Sequence, residues 1–347
     1  MARWTVFNLQ DGLGEHAQEW DALNQRKFKN HPMLDSRFVN GLLWHFGGKS
    51  ECLCVLKKAD QAEAMCLLRH DQFSRWTTFL PSQAQLGPAL VDSPADLQQL
   101  MRDLPGLVAQ LDMLCSDSAL GDLAAEPRRS TYTSDHALTM NITLQGSFQD
   151  YWQARPRKLV QNIGRYERRL AAEGIQAEFR CHREPLAISE AFVRYASLES
   201  EGWKASGGTA LSVDSAQGRF YEALLSGFAA TGNAMVYELW FGRQLAASRL
   251  VISSNEMVVM VKTTYAEELA RFAPGRLLLR QVVEHLFTLC PGSVIKFYTN
   301  ASVDQLAWAT GQRKIRHISF YTDSFTAGIF NFLRNFRDRF LSPSVPR

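Results

Sequence analysis

Met257-Val-Val-Met-Val-Lys-Thr-Thr-Tyr265, then Ala266-Glu-Glu-Leu-Ala-Arg271-Phe-Ala-Pro-Gly275, then Arg276-Leu-Leu-Leu-Arg-Gln-Val-Val-Glu-His-Leu-Phe287 follow one another directly, and their reading decides the fold. The first segment is a short apolar run rich in valine, which reads as a buried strand carried to its end by Lys262 to Tyr265. Pro274 and Gly275 break it, and proline is well tolerated at the first position of the helix that follows. Glycine lets a ligand approach the backbone, where the first N–H groups of a helix have no partner inside it. Arg271 and Arg276 flank the same spot. The stretch therefore reads as strand, loop and helix with a cradle for a diphosphate at the junction. The competing reading is that Pro-Gly is ordinary punctuation and the arginines are merely solvated.

The rest of the chain bounds what such a cradle serves. At 347 residues it is long enough for two domains, and 46% hydrophobic with 21% charged residues suits a soluble globular protein. No apolar run is long enough to cross a bilayer, and Met1-Ala-Arg-Trp-Thr-Val-Phe-Asn8 lacks the apolar core of a secretory signal, so a cytoplasmic location is expected. Six cysteines (Cys52, Cys54, Cys66, Cys115, Cys181, Cys290) include no Cys-x-x-Cys and no histidine pair at ligand spacing accompanies them. All six are read as reduced, and no metal is expected. A net charge of +3 is too small to argue for nucleic acid, and no DNA partner is expected. The motifs of P-loop ATPases, serine hydrolases, zinc proteases and dinucleotide-binding dehydrogenases are missing.

Taken in order, the first half reads as helices over 15–25 and 37–46, strands over 52–57, 63–69 and 76–80, an irregular Pro/Gly stretch, a helix over 95–103 and a strand over 107–114. In the second half come helices over 156–173, 189–200 and 216–230, then strands over 235–241, Gln244–Ser253 and Met257–Tyr265. After the Pro-Gly helix come a strand over 294–298, a short helix over 302–310 and a strand over 315–321. Gly242-Arg243 is the Gly-X pair of a two-residue hairpin. Both halves repeat helices, an antiparallel meander, a loop, a helix and a strand. The expected fold is α/β, two tandem lobes over 1–140 and 141–347, each a mixed, mostly antiparallel sheet flanked by helices, with the boundary in 130–148. Only the second lobe opens its helix with glycine, so only that lobe is expected to bind a cofactor.

This order of elements resembles the GCN5-related N-acetyltransferase (GNAT) fold. The second half further resembles the CelD/BcsL-like acetyltransferases, relatives of the FemAB proteins. Four segments carry the likeness. Tyr151-Trp-x-x-Arg155-Pro-Arg-Lys-Leu-x-x-Asn162-x-x-Arg165 is similar to the family's basic helix. Leu198-Glu199-x-x-Gly202-Trp203-Lys204, with Gly208-Thr-Ala-Leu211 after it, resembles its Trp-Lys…Gly-Thr-Ala segment. Ala273-Pro274-Gly275-x-Leu277-Leu278 resembles its Ser-Pro-Gly-x-Leu-Leu loop, with Ala273 in place of the serine. Phe297-Tyr-Thr-Asn300 and Asp304 through Trp308 occupy its next strand and helix.

The resemblance implies acyl transfer from acetyl-CoA or another acyl-CoA to an amine or hydroxyl of a sugar, cell-envelope or polysaccharide precursor. The donor would be held by Lys262, Arg271, Ala273, Pro274, Gly275, Arg276 and Leu277. Its thioester would run along Met257–Tyr265, where backbone N–H groups polarise the carbonyl. Glu199 is the first candidate base, ahead of Glu238 and then Asp304, and Tyr265 is a candidate acid for the leaving thiolate. Trp203, Lys204, Asn300 and Asp304 would meet the acceptor. Each has a plainer reading: Glu199 as a solvated helix end, Trp203 as a packing anchor, Asp304 as a first-turn carboxylate.

Residues 151–180 carry seven Arg or Lys against three Glu, while Leu159, Ile163, Tyr166 and Leu170 form an apolar stripe. The charged faces are solvated, or they meet an anionic acceptor or tRNA; no aromatic interleaving suggests base stacking. Residues 324–340 form an amphipathic helix with Phe325, Ile329, Phe336 and Phe340 on one side, suited to packing or to peripheral membrane contact. Two alternatives stay open: a FemAB-type, tRNA-dependent aminoacyl transferase, and a non-catalytic interaction protein that keeps the fold.

Overall fold

A computed structural model describes residues 3–72, 74–124, 130–201 and 214–330. In chain order the elements begin with β1 (Trp4–Asn8), α1 (Ala17–Lys27), α2 (Ser36–Phe46), β2 (Glu51–Lys58), β3 (Gln61–Gln72) and β4 (Arg75–Thr78). They continue with β5 (Ala89–Leu90), α3 (Pro94–Asp103), β6 (Gln110–Asp117), β7 (Thr131–Thr143), α4 (Phe148–Gln153), α5 (Arg157–Ala172) and β8 (Ala177–His182). Then come α6 (Pro185–Glu201), α7 (Ala216–Ala229), β9 (Ala234–Phe241), β10 (Gln244–Ser253) and β11 (Met257–Tyr265). The last are α8 (Pro274–Leu289), β12 (Val294–Phe297), α9 (Val303–Leu306) and β13 (Gly311–Tyr321).

These elements gather into two units that each draw on both halves of the chain. The first comprises Met1–Phe28, Gly47–Ala137 and Arg313–Arg347, and the second Lys29–Phe46 and Leu138–Gln312. The sequence reads contiguous lobes, 1–140 and 141–347. It also places a boundary over 130–148; the chain passes from the first unit to the second between Ala137 and Leu138, inside the long strand β7. Thr131, Thr133, Asp135 and His136 give the start of β7 a polar, linker-like look, and the pattern turns apolar only at Ala137.

In the first unit the strands run β1-β2-β3-β4-β6-β13, with β5 on β3. β4 and β6 are parallel, joined through α3, and the other pairs are antiparallel. Cys54, Cys66, Leu68, Leu100, Leu111 and Phe320 are among its core. All six cysteines of the chain are free thiols.

The second unit repeats the plan as β7-β12-β11-β10-β9-β8. β11 and β12 are its parallel pair, joined by α8, and Gly242 at φ +61° closes the two-residue hairpin between β9 and β10. Met235, Tyr237, Leu239, Ala247 and Val251 alternate onto one face and pack with Leu159 and Ile163 of α5 and Leu278 and Val282 of α8. The segment 29–46 belongs to this unit because its side chains are buried here. Phe38 meets Phe220 of α7 edge-on at 5.6 Å, and a Cβ added at Gly41 would lie 3.0 Å from that ring. Arg37 stands 3.9 Å over the Phe228 ring, and His31 Nε2 is 2.6 Å from the Tyr298 hydroxyl.

Both units are thus mixed, mostly antiparallel sheets flanked by helices, the α/β class expected from the sequence. The edge strand β8, six half-exposed residues, is an element the sequence reading passes over.

Candidate functional site

The site is built where β11 leaves its neighbours. Leu250 of β10 stands opposite Lys262, and Val251 opposite Met260, so Val261 is an extra residue in β11. Such a bulge reverses the alternation beyond it. Thr263 and Tyr265 therefore share the face of Met260, under α5 and α8, while Lys262 turns to the face covered by α6. Parallel pairing with β12 ends at Met260 opposite Phe297. The strand runs on to Tyr265 with β10 alongside.

α8 starts beside that extension. Its N-cap is Ala273, held in the left-handed region at φ 52°, ψ 52°, and no side chain caps the helix. Alanine in that conformation costs about 1–2 kcal/mol, and such strain tends to persist at ligand clamps. Pro274 occupies the first helical position. A Cβ on Gly275 would sit 3.8 Å from Tyr265 Cδ1, so the glycine leaves the first turn open on this side. In front of it lies a cavity of about 540 Å³ whose lining includes Arg249, Thr263, Tyr265, Gly275, Arg276 and Trp308. That volume falls within the usual range of small-molecule sites.

Of the residues the sequence singles out, Tyr265, Ala273, Pro274, Gly275, Arg276 and Asp304 line this cavity. Arg276 pairs with Asp304 at 2.6 Å, and Arg271 with Glu173 at 2.7 Å, both near the surface. Leu277 is a different case. It is 5% exposed and packed in the core, so its side chain supports the helix and does not face a ligand. Asn300 accepts a hydrogen bond from the Leu138 N–H at 3.1 Å, which ties it to β7. Trp203 and Lys204 lie outside the described residues.

The first two candidate bases, Glu199 and Glu238, sit on the α6 face. Glu199 is bonded to Lys262 Nζ at 3.2 and 3.1 Å and accepts from the Tyr195 hydroxyl at 3.2 Å. Burial, reinforced by the Glu199 charge, pushes the Tyr195 phenol well above its ordinary range, which keeps it a donor. Glu238 is fully buried and accepts from Arg194 Nε at 2.8 Å and Trp240 Nε1 at 3.0 Å, with His182 Nε2 at 2.9 Å. Burial alone would raise its pKa, but the Arg194, Trp240 and His182 bonds outweigh that and hold it below the usual range. A carboxylate so saturated is a poor proton acceptor. Of the predicted proton-transfer groups, Tyr265 and Asp304 line the cavity, the latter paired with Arg276.

The opening of the resemblance segment has a structural role. The Tyr151 hydroxyl and Arg155 Nη1 both donate to the Trp308 carbonyl, at 2.7 and 3.2 Å, and Arg155 also reaches the Ala309 carbonyl. They fix Trp308, which walls the cavity.

Arg249 is the charged lining residue that the sequence reading does not single out. Its signal was available: a lone arginine inside Leu245-Ala-Ala-Ser-Arg249-Leu-Val-Ile252, an otherwise small and apolar strand.

One group among the described residues could gather on a metal: Cys115, His136 and His317, whose ligand atoms lie within 4.8 Å of one another. The Cys115 N–H donates to His317 Nδ1 at 3.0 Å, which puts that ring's proton on Nε2 and removes its lone pair. No helix among the described residues is long and apolar enough to cross a membrane. Phe325 and Ile329 are exposed in the described start of the 324–340 segment.

Solved structures similar to this chain share its fold at low identity. FemX matches 95% of this chain and 99% of its own, at 8% identity and a TM-score of 0.59. A conserved protein of unknown function from Bacteroides thetaiotaomicron matches 92% of this chain and 100% of its own, at 11% identity and 0.55. The C-terminal domain of a protein described as a lysylphosphatidylglycerol synthetase, from Agrobacterium fabrum, matches 92% and 96%, at 10% identity and 0.53. No curated protein matches the chain by sequence. Residues 157–294, which contain β11, Arg249 and the whole of α8, match the model of the acetyltransferase (GNAT) domain.

Proposed function

We propose that the second unit is an acyl-CoA-dependent acyltransferase acting on an amine or hydroxyl of a sugar, cell-envelope or polysaccharide precursor. One observation carries the reading: the uncapped first turn of α8 opens at Gly275 into a cavity beside the stretch of β11 that outruns β12. Pro274 has no N–H and the Arg276 N–H donates to the Ala273 carbonyl at 3.0 Å, so the Gly275 N–H and the helix dipole are what the backbone would offer a diphosphate. Acyl-coenzyme A would supply that diphosphate and an activated thioester. Gly275 and Arg276 would hold the former, and Thr263 would flank the chain leading inward. The Tyr265 phenol, which lines the cavity, would give a proton to the departing thiolate. The acceptor class follows from the family resemblance, and the basic outer faces of α5 suit an anionic acceptor of that kind.

Thermal unfolding with coenzyme A and acetyl-CoA tests the donor. Saturation at a hundred times Kd is worth about 2.7 kcal/mol and raises the melting temperature accordingly. Free-thiol release with amino and hydroxyl sugars then tests the acceptor. Salt-sensitive tRNA binding without any response to coenzyme A would replace the reading with aminoacyl transfer. No response to either ligand would leave an interaction protein that retains the fold.

A further inference from the structure

Arg249 lies in the middle of β10 and is only 7% exposed. It stands opposite Thr263 of β11 and shares the face of Ala247 and Val251, where it lines the cavity. Its Nε is enclosed and has no hydrogen-bond partner. Among the described residues no carboxylate is paired with it. Burial pushes its pKa down to about 10, partly offset by the Tyr195 phenol, so the group stays cationic at neutral pH.

A buried charge without a counter-charge opposes folding, and a leucine or methionine in this strand would avoid that penalty. The other arginines nearby are answered differently: Arg276 has Asp304 and Arg271 has Glu173, with side chains 40% and 62% exposed. Those two stand where a hydrated diphosphate would arrive. Arg249 is buried, in a cavity that Leu279 and Trp308 also line. Thr263, its cross-strand partner, is two residues from Tyr265, which touches the Gly275 position, a separation of roughly 7 Å along the strand. The helix start and Arg249 are thus two anion-binding features of one cavity.

We propose that Arg249 is the receptor for a carboxylate carried by the substrate, so that the second unit acts on an acidic substrate. The inference rests on the acyl-transfer reading and narrows it. One buried positive charge is matched by a singly charged group, and the Nε–Nη edge of guanidinium presents two parallel donors at carboxylate spacing. A diphosphate carries more charge, is harder to dehydrate and already has the helix start. The carboxylate belongs to the acyl group of a dicarboxylic thioester or to the acceptor.

Calorimetric titration of the full chain separates these sources. One panel compares malonyl-CoA and succinyl-CoA with acetyl-CoA and coenzyme A. A second, with coenzyme A present, compares glutamate with glucosamine. We expect a carboxylate-bearing member of one panel to bind at least tenfold tighter than its neutral counterpart. Arg249→Met erases that preference, Arg249→Lys keeps part of it, and circular dichroism verifies that both fold. A Met variant that weakens coenzyme A and acetyl-CoA as much as the acidic compounds would overturn the proposal and make Arg249 a diphosphate partner. Absence of a carboxylate preference in both panels would overturn it as well. Arg249-dependent carboxylate binding without any affinity for coenzyme A would remove the acyl-CoA reading and leave the receptor standing.

Discussion

Lys262 Nζ stands 3.2 and 3.1 Å from the two carboxylate oxygens of Glu199, which is 1% exposed, so α6 is tied to the bulged end of β11 by a buried ion pair. The Tyr221 ring lies 5.2 Å from the same ammonium. Breaking one side of such a pair leaves an uncompensated charge, at a cost of about 3–5 kcal/mol. Glu199→Gln and Lys262→Met are each expected to lose stability of that order in urea unfolding. The double variant should lose less than the two added together, because neither charge is then stranded. Simple additivity would show that the pair is not a structural tie. A well-folded Glu199→Gln with wild-type stability and no turnover would instead restore Glu199 as the base.

Glu238 gives the protein a predicted acid limb. Its folded pKa is depressed, so the group contributes stability that is fully present above its unfolded value near 4.5. That contribution disappears as pH falls through the lower folded value, because Arg194 and His182 then lose their carboxylate. Denaturation midpoints should decline below about pH 4.5, and Glu238→Gln should be less stable at pH 7 but lose less on acidification. Parallel pH profiles for the two proteins would contradict this assignment.

What was legible in the sequence was local. Gln244–Ser253, the Gly242 hairpin and Met257–Tyr265 were readable from apolar runs and turn residues, and the start of α8 from Pro274-Gly275. Long-range pairings left no such mark. Nothing near Phe38 says that it packs on Phe220 and so joins the second unit. The Val261 bulge is a mismatch between two strands and invisible in either alone, yet it decides that Thr263 shares the face of Met260 and lines the cavity. Glu199 was noticed for its neighbours in sequence, whereas its chemistry is set by Lys262, 63 positions away. The chain passes from one unit to the other inside β7, between Ala137 and Leu138, and the polar first half of that strand has too little apolar alternation to announce it.

Gly275 permits a direct test of the donor's position. An alanine Cβ there would make ordinary contact at 3.8 Å with Tyr265, so Gly275→Ala should fold and gain up to about 1 kcal/mol of helix stability. Tryptophan would extend into the cavity in front of the helix. Gly275→Trp is expected to fold, with coenzyme A weakened at least tenfold by calorimetry. Unchanged affinity in that variant would place the donor elsewhere.

Arg249 and Glu199 are both buried ionic groups, and they are predicted to respond to neutralisation with opposite signs. Glu199 has a partner, so removing its charge exposes Lys262 to the desolvation penalty. Arg249 has an Nε without a hydrogen-bond acceptor, so removing its charge abolishes a penalty already present in the folded state. Replacing buried ionic groups with apolar ones of similar volume can stabilise a protein by about 1–4 kcal/mol. Arg249→Met should therefore melt above the wild type in the absence of ligand, while Arg249→Lys, which keeps the charge but not the fork, should not. The gain would come with loss of any ligand response that depends on a carboxylate, the usual exchange between stability and a site built for binding. A Met variant less stable than the wild type would mean that the guanidinium is satisfied within the folded chain, and that the strand keeps Arg249 for packing alone.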